Sequence, residues 1–430
     1  MDYKETISWL FDQLPMFQRV GKAAYKADLK NTVLLLKALG NPEKQIKAIH
    51  IAGTNGKGSV AHIIASILQE AGYKIGLYTS PHLKDFRERV KINGQLIPEE
   101  SVTRFVKTNK KSFVTIKSSF FEMTVGLAFK YFADEKVDFA VIETGLGGRL
   151  DSTNLCNPII SIITNIGIDH TMFLGDSLEK IAPEKAGIIK SSIPVIVGKH
   201  QIETDKIFEL TCSRLKSPLF FAEDDMELRI FQSEDEDIQT MDVWYKNQKT
   251  ITGLRSPLIG NYQEENICTA LRSIELLKEN QIVKVSSNEI TEGVGNIISN
   301  TGFYGRWQKL STNPITICDT GHNIDGIKAV IKQLEELTYM HLHFVLGLVK
   351  DKDVFSILTL LPNNATYYFC KPDIPRGMDE DELAKAGFKA GLNGKSYNSV
   401  TQAYYSARNN AGVNDLVFIG GSTFVVSEVI

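Results

Sequence analysis

Apolar positions in the first half of the chain follow two alternating patterns. After each short apolar run comes a stretch in which apolar residues recur every three or four positions, as in an amphipathic helix. The runs cover residues 46–52, 139–143, 159–165 and 195–198. Strands separated by helices pair in parallel. The pattern therefore predicts an α/β fold whose N-terminal domain has a parallel sheet.

The pattern changes twice further along the chain. Residues 205–257 mix acidic residues with short alternating stretches, which predicts a small antiparallel region. A polar segment at 299–302 then interrupts the periodicity, and strand-helix alternation restarts. We expect a larger N-terminal domain at 1–297, a linker at 298–306, and a smaller Rossmann-like α/β domain at 307–430.

Composition narrows the classes of function. The 430 residues suffice for two or three domains, and the formal charge of −3 comes without a long basic run. This balance argues against nucleic acid as a partner. The start of the chain does not resemble a secretory signal, and no apolar run is long enough for a membrane span. The five cysteines lack paired spacing, so we expect a reduced, cytoplasmic protein.

The most informative segment is Gly53-Thr54-Asn55-Gly56-Lys57-Gly58-Ser59, between the first apolar run and a helix. Glycines allow backbone N–H groups to close on phosphate oxygens, and a helix N-terminus favours anions. Lys57 would neutralise terminal phosphates, and Ser59 lies close enough to meet Mg²⁺. Gly58 departs from the usual G-x-x-x-x-G-K-[ST] spacing. The alternative is a tight turn that carries a surface lysine.

Other candidates follow the next two apolar runs. Glu143 ends one run and is expected to face phosphate and metal, although a carboxylate in water is the simpler interpretation. The glycine-rich residues 145–154 could wrap a ligand. Asp169-His170 follows the next run, where His170 is either a metal ligand or acid–base group, or part of a turn. Lys185 by itself indicates an exposed lysine at a helix start.

The second domain offers one more polar cluster, Asp319-Thr320-Gly321-His322-Asn323. Asp319 and His322 could reach a ribose or phosphate. Alternatively, Asn323 is a helix N-cap and Asp319 a polar strand end. Arg306, at the predicted hinge, is either a phosphate contact or a solvated residue. Spacing alone leaves both alternatives open.

Together these segments resemble the folylpolyglutamate synthase and dihydrofolate synthase family, a branch of the Mur ligases. The shortened phosphate loop is that group's own form. The other matching segments are Thr79-Ser80-Pro81-His82-Leu83 with Phe86, Glu88 and Arg89, Gly145-Leu146-Gly147-Gly148-Arg149-Leu150-Asp151, Glu184-Lys185-Ala186-Gly187-Ile188 and Lys350-Asp351-Lys352-Asp353. One departure is Tyr304-Gly305-Arg306-Trp307-Gln308, where the family often has Pro-Gly-Arg, an aromatic and an acid.

The resemblance implies an ATP-dependent amide ligase, whose ATP-binding N-terminal ATPase domain has a P-loop-type parallel sheet. The carboxylate of dihydropteroate or of a reduced folate would attack the γ-phosphate of ATP. The amino group of L-glutamate would then attack the acyl phosphate, releasing phosphate beside ADP. The partners implied are these small molecules with one or two Mg²⁺ ions, and the protein would act as a monomer. Whether it makes dihydrofolate, lengthens the glutamate tail or does both is left open.

The resemblance also assigns roles to residues. Lys57, Glu143, His170 and Lys185 would be catalytic; Ser80, Glu143, His170 and Lys185, the last as a carbamate, would bind metal. ATP would contact Thr54, Asn55, Gly56, Lys57, Gly58, Ser59, Asn266, Arg306, Asp319 and His322. The folate would contact Pro81, His82, Phe121, Arg149 and Asp151, and Ser422 would lie on the glutamate side.

Two other functions deserve comparison. A Mur ligase that acts on a cell-wall precursor would carry an additional N-terminal domain, for which the residues before Gly53 leave too little chain. A nucleotide-dependent switch would need the phosphate loop and Glu143. It would have no use for Lys185, His322 and a second Rossmann-like domain. The sequence therefore favours the folate ligase.

Overall fold

The computed structural model describes residues 1–12, 28–231, 233, 235–350 and 353–430. The chain forms two compact units, and the division falls between Phe303 and Tyr304. Each unit has its own sheet and its own core.

The described part of the N-terminal unit is built on an eight-stranded sheet. Its strands are β1 (Ala48–Ala52), β2 (Ile75–Tyr78), β3 (Val90–Ile92), β4 (Gln95–Leu96), β5 (Phe139–Glu143), β6 (Pro158–Ile163), β7 (Val195–Val197) and β8 (Leu219–Phe221). Their order is β4-β3-β2-β5-β1-β6-β7-β8. Strands β2 and β5 to β8 run parallel to β1, while β3 and β4 form an antiparallel edge.

Helices cover this sheet. They are α1 (Tyr3–Asp12), α2 (Lys30–Ala38), α3 (Lys57–Glu70), α4 (Glu99–Ile116), α5 (Phe120–Asp134), α6 (Thr171–Leu174), α7 (Leu178–Ala186), α8 (Asp205–Leu215), α9 (Ala222–Asp225), α10 (Gln263–Glu279), α11 (Ser287–Gly295) and α12 (Ile297–Thr301). Short 3₁₀ turns occupy Pro42–Lys44, Phe86–Arg89 and Ser152–Leu155. Val60 and Ile64 of α3 are fully buried.

A separate antiparallel sheet belongs to the same unit. It consists of β9 (Met226–Phe231), β10 (Gln239–Tyr245) and β11 (Gln248–Ser256), with β10 in the centre. Alternate residues such as Leu228, Met241 and Leu254 are buried in the core that also contains α3 and α10. The alternating pattern of these strands thus follows from burial of one face only.

The described part of the C-terminal unit is a six-stranded sheet with flanking helices. The strands are β12 (Gln308–Thr312), β13 (Ile315–Cys318), β14 (Leu342–Leu346), β15 (Thr366–Cys370), β16 (Asn393–Tyr397) and β17 (Leu416–Gly420). The helices are α13 (Ile324–Glu335), α14 (Val354–Leu358), α15 (Glu380–Lys389), α16 (Val400–Asn410) and α17 (Thr423–Ser427). The order is β12-β13-β17-β14-β15-β16, and β12 alone pairs antiparallel.

These sheets confirm the predicted α/β class. All five cysteines are buried and unpaired, as their spacing suggested. Of the helices in the described residues, none has both the length and the apolar character needed to cross a bilayer.

Candidate active site

The loop between β1 and α3 depends on two glycines. Gly53 and Gly56 have φ angles of 150° and 82°, which residues other than glycine rarely adopt. A Cβ at Gly53 would lie 1.8 Å from Thr164 Oγ1, and one at Gly56 would lie 2.0 Å from Asn266 Oδ1. The backbone therefore passes close to β6 and α10, which a larger residue would prevent.

Residues that follow β6 fix this phosphate loop. The Thr54 amide donates to Asn165 O at 2.9 Å, and the Asn55 amide to Asn165 Oδ1 at 3.0 Å. Thr164 Oγ1 donates to Asn55 O at 2.6 Å. The Thr54 hydroxyl also accepts the Gly167 amide at 2.9 Å. Because β6 lies beside β1, its carboxyl end meets the loop at the same sheet edge, and the loop is pre-organised.

Two lysines converge on one carbonyl oxygen of the loop. Lys57 Nζ donates to Gly53 O at 3.1 Å, and Lys185 Nζ donates to the same atom at 2.6 Å. Lys185 lies in the last turn of α7 and is 3% exposed, so the alternative of an exposed lysine is wrong. Burial, together with the charge of Lys57, lowers the pKa of Lys185 to about 7. Such a concentration of positive charge suits phosphate groups.

Glu143 joins the phosphate loop to the loop after β2. It ends β5, is 5% exposed, and accepts the Ser80 amide at Oε2 at 2.9 Å. Both carboxylate oxygens lie 3.9 Å from the position a Cβ would take at Gly58. The order β2-β5-β1 explains this placement, because adjacent parallel strands end at the same edge. The alternative of a carboxylate in water is therefore wrong.

The donors here suit Mg²⁺, which takes one or two carboxylates and completes its shell with water and phosphate. Glu143 is such a carboxylate beside the phosphate loop, with Ser80 next to it. His170 is the N-cap of α6, and its Nε2 lies 3.8 Å from Asp169 Oδ2. Within the described ranges, no three His, Cys, Asp or Glu side chains are grouped so that they could hold a metal by themselves.

The loop after β2 is held by several hydrogen bonds. The Ser80-Pro81 peptide bond is cis, and the Glu88 carboxylate accepts the amides of residues 83 to 85 at distances between 2.6 and 2.9 Å. Arg89, 1% exposed, donates from Nε to His82 Nδ1 at 2.7 Å. Burial and the Arg89 charge lower the pKa of His82 to about 3, so the ring is neutral. Sequence reasoning gave Arg89 no role, although it belongs to the motif quoted for the family.

Asp151 organises the glycine-rich loop after β5. Its Oδ2 accepts the amides of Gly145 and Leu146 at 2.9 and 2.8 Å, while Oδ1 accepts the Thr153 amide and hydroxyl. Burial raises the pKa of Asp151, and these hydrogen bonds oppose that shift. Phe121 borders the same loop, since a Cβ at Gly145 would lie 2.4 Å from its ring. The structure thus brings Phe121 and Asp151 together.

A buried histidine supports this loop from below. His50, on β1, lies 2.9 Å from the Thr153 hydroxyl through its Nε2 atom. Because that hydroxyl donates to Asp151, it accepts from His50. Complete burial, with Lys190 nearby, lowers the pKa of His50 to about 3. Sequence reasoning missed His50, since a histidine within an apolar strand carries no local signal of its partner.

Arg149 and Asn266 occupy different surroundings. Arg149 is exposed and forms an ion pair at 2.8 Å with Glu184, the residue that precedes Lys185. Asn266 is buried, borders Gly56 and donates to Gln263 at 2.8 Å. The structure therefore places Asn266 at the phosphate loop and Arg149 at the periphery of the lysine site.

In the C-terminal unit, Asp319 organises the turn after β13. It is 3% exposed, and its two oxygens accept the amides of Trp307 and Gly321, each at 2.7 Å. His322 Nδ1 lies 3.0 Å from Thr320 O. Asn323 is the N-cap of α13, where it accepts the Gly326 amide, as one of the two interpretations predicted.

Arg306 and Ser422 complete the candidate residues of this unit. Arg306 donates to Gly305 O at 3.3 Å. Ser422 is 2% exposed and caps α17 by accepting the Val425 amide at 3.2 Å. Strands β13 and β17 are parallel neighbours, so Asp319 and Ser422 follow strand ends at the same sheet edge.

Two family models match this chain, one in each unit. Residues 51–274 match the family described as Mur ligase middle domain, and residues 305–423 match Mur ligase, glutamate ligase domain. The first match includes the phosphate loop, Glu143 and Lys185. The second includes Asp319 and His322.

Curated relatives are similar over the whole chain. The dihydrofolate synthase/folylpolyglutamate synthase of Bacillus subtilis is 32% identical, over 99% of this chain and 98% of the relative. The folylpolyglutamate synthase of Lacticaseibacillus casei is 30% identical, over 100% and 98%. A probable bifunctional folylpolyglutamate synthase/dihydropteroate synthase of Haloferax volcanii is 33% identical, but this chain spans only 50% of its length.

Solved structures show the same fold. Escherichia coli FolC in complex with DHPP and ADP aligns with a TM-score of 0.86 and 29% identity, over 100% of this chain and 97% of that one. Mycobacterium tuberculosis folylpolyglutamate synthase complexed with ADP aligns with a TM-score of 0.88 and 25% identity, over 99% and 97%. The predicted ATP-dependent ligase class is thereby confirmed. The chain belongs to the dihydrofolate synthase/folylpolyglutamate synthase family of Mur ligases.

Proposed function

We propose that this protein uses ATP to join L-glutamate to the carboxylate of dihydropteroate, to the glutamate tail of a reduced folate, or to both. The observation that carries the proposal is the convergence of Lys57 and Lys185 on Gly53 O, with Glu143 at the same loop. Two anions, a carboxylate and a triphosphate, must approach each other here. Fixed cations lower the free energy of that encounter.

The phosphate loop would hold ATP. The amides of residues 54 to 59 and the N-terminus of α3 would bind phosphate oxygens, and Lys57 would turn from its own loop carbonyls to the terminal phosphates. Asn266, which borders Gly56, would contact the adenine. The pre-organised loop would bind the nucleotide with little ordering cost.

Glu143, Ser80 and His170 would hold Mg²⁺, with Lys185 as a carbamate at a second ion. When bound, Mg²⁺ would neutralise phosphate oxygens in the transition state. The carbamate is proposed from the family resemblance. Burial of Lys185 beside Lys57 supports it, because an anionic group there would relieve the repulsion between two ammonium ions.

The pteroate or folate substrate, whose carboxylate is activated, would lie between the loop that carries His82 and the loop that carries Asp151. Phe121 of α5 would border it, with Pro81 and Arg149 nearby. Since His82 accepts the Arg89 guanidinium at Nδ1, its proton resides on Nε2, and it would donate to the substrate. The carboxylate would attack the γ-phosphate, ADP would leave, and glutamate nitrogen would displace phosphate from the acyl phosphate.

The C-terminal unit would supply Asp319 to the ribose, Arg306 and His322 to phosphates, and Ser422 to glutamate. Their position at one edge of its sheet supports this assignment. We further propose an ATP-binding domain at 1–297, a linker at 298–306 and a ligase domain at 307–430. The division between Phe303 and Tyr304 falls inside the proposed linker. The enzyme would act as a monomer. It would be cytoplasmic, which its buried, unpaired cysteines support.

The test is ADP release from ATP and Mg²⁺ with L-glutamate, comparing dihydropteroate and tetrahydrofolate as acceptors. Stimulation by one acceptor identifies a monofunctional enzyme, and stimulation by both a bifunctional one. A rate of ADP release that does not depend on glutamate would instead indicate a nucleotide switch. Activity with a cell-wall precursor alone would indicate another Mur ligase.

A further inference from the structure

One buried lysine of the N-terminal unit has no role in the assignments above. Lys91 is the middle residue of β3 and is 4% exposed. Its Nζ donates to Thr301 O at 2.7 Å and to Gly302 O at 3.3 Å. These are the last carbonyls of the five-residue helix α12 and its C-cap, which have no partners within the helix. A cation there also suits the helix dipole.

The same helix end is held from two further directions. Gly94, in the turn between β3 and β4, approaches so closely that a Cβ would lie 2.1 Å from Asn300 O. The side chain of Asn300 donates from Nδ2 to Ser66 Oγ at 3.1 Å and to Glu70 Oε1 at 2.7 Å, both on α3. The end of α12 is therefore fixed to β3 and to the helix that begins at the phosphate loop.

The residue after this anchor lies beside the phosphate loop. Phe303 is 7% exposed and its ring centroid lies 4.6 Å from that of His62 on α3. A Cβ at Gly58 would lie 3.9 Å from Phe303 Cε2. Phe303 is also the last residue of the N-terminal unit. The position at which the chain leaves this unit is thus set beside the phosphate loop.

Burying a charged side chain at position 91 carries a desolvation penalty. Burial lowers the pKa of Lys91 to about 8, while Glu88 acts in the opposite direction. A methionine of similar length would occupy the space without a desolvation penalty. What methionine cannot do is donate to the carbonyls of Thr301 and Gly302. The particular contribution of the lysine is therefore the anchoring of these two residues.

We propose that Lys91 is a positioning residue of the ligase reaction, which anchors the end of α12 and thereby holds Phe303 against the phosphate loop where the chain leaves the N-terminal unit. The inference rests on the proposed function for its kinetic consequence. Its structural part, the protection of residues 301–303, does not depend on that function.

The test uses Lys91→Met, with Lys74→Met as its control. Lys74 Nζ also donates to a backbone carbonyl, Glu135 O at 2.6 Å, but far along the chain from α12. In Lys91→Met we expect amide hydrogen exchange at 301–303 to accelerate about tenfold or more, with β5 unaffected. The kcat of glutamate-dependent ADP release should fall about tenfold to a hundredfold, while the KM for ATP stays within about twofold. Lys74→Met should show neither change.

Unchanged exchange at 301–303, or unchanged kcat, in Lys91→Met would overturn the proposal. A uniform acceleration of exchange with normal kcat would mark Lys91 as merely structural and would overturn it as well. If Lys91→Met does not fold, Gly94→Ala decides by the same two readouts. Gly72→Ala serves as its control, because Gly72 has a comparable φ of 82° and no atom within 4 Å of its Cβ position. A failure of the proposed function would give a different result: the wild type would release ADP at the same rate with and without glutamate.

Discussion

The phosphate loop allows a matched test at two glycines. Gly56 and Gly72 both have φ angles of 82°. A Cβ at Gly56 would lie 2.0 Å from Asn266 Oδ1 and 3.0 Å from its Cγ, whereas a Cβ at Gly72 would meet nothing within 4 Å. Substitution by alanine imposes the same backbone strain at both positions. Only Gly56→Ala must also displace Asn266.

The magnitudes follow from these contacts. A left-handed alanine costs about 1–2 kcal/mol, which is the expected loss of unfolding free energy in Gly72→Ala. Gly56→Ala also loses the 2.8 Å bond from Asn266 to Gln263 and leaves buried amide groups without partners, for about 1–3 kcal/mol more. The same displacement moves the loop amides that would bind phosphate. Losing one such charge-assisted bond, at about 1.5–3 kcal/mol, should weaken ATP binding about tenfold to a hundredfold.

The assay combines urea unfolding with calorimetric titration of ATP and Mg²⁺, under conditions where both variants are folded. We expect Gly72→Ala to bind ATP as the wild type does, and Gly56→Ala to bind it much more weakly. Equal ATP affinities in the two variants would refute the reasoning. So would a Gly72→Ala variant as unstable as Gly56→Ala, because the clash with Asn266 would then contribute nothing.

Three further predictions concern single side chains. Lys57→Ala should lower kcat for ADP release about a hundredfold or more in steady-state assays, since it removes a cation from the γ-phosphate; near-normal turnover would contradict this role. Lys185→Ala should be similarly impaired and partly rescued by short carboxylic acids, and full activity without them would remove Lys185 from the mechanism. His50 has a pKa of 6.5 when unfolded and about 3 when folded, so stability is lost as pH falls from 6.5 towards 3. In urea unfolding, His50→Gln should therefore lose about 2 kcal/mol less than wild type between pH 7 and pH 5, and an equal loss would show that His50 titrates normally.

Local signals explain why the α/β class and the phosphate loop could be predicted. The spacing of apolar residues depends on which face of a helix or strand is buried. That spacing can be read within each element by itself. The loop residues Gly53 to Ser59 are consecutive, so their chemistry is visible together. Resemblance to a family added Lys185, which spacing alone indicated as an exposed surface lysine.

Contacts between distant segments could not be predicted in this way. Lys185 is buried because α7 packs so that its Nζ reaches Gly53 O, 132 residues earlier. Lys91 reaches Thr301 O across 210 residues, and Arg89 is buried beneath His82. None of these partners leaves a periodic or compositional mark at its own position.

The sequence by itself determined the order of strands and helices, the class of the fold and the phosphate loop, because each depends on neighbours along the chain. The tertiary structure alone decided which charges are buried and what they contact. The order of the strands within the sheet, which differs from their order along the chain, brought the ends of β1, β5 and β6 to one edge. Glu143 and Lys57 therefore lie at the same loop, and the packing of α7 adds Lys185. The reason is physical: burial and pairing of a charge depend on atoms that approach through space, and that approach exists only once the sheet has formed.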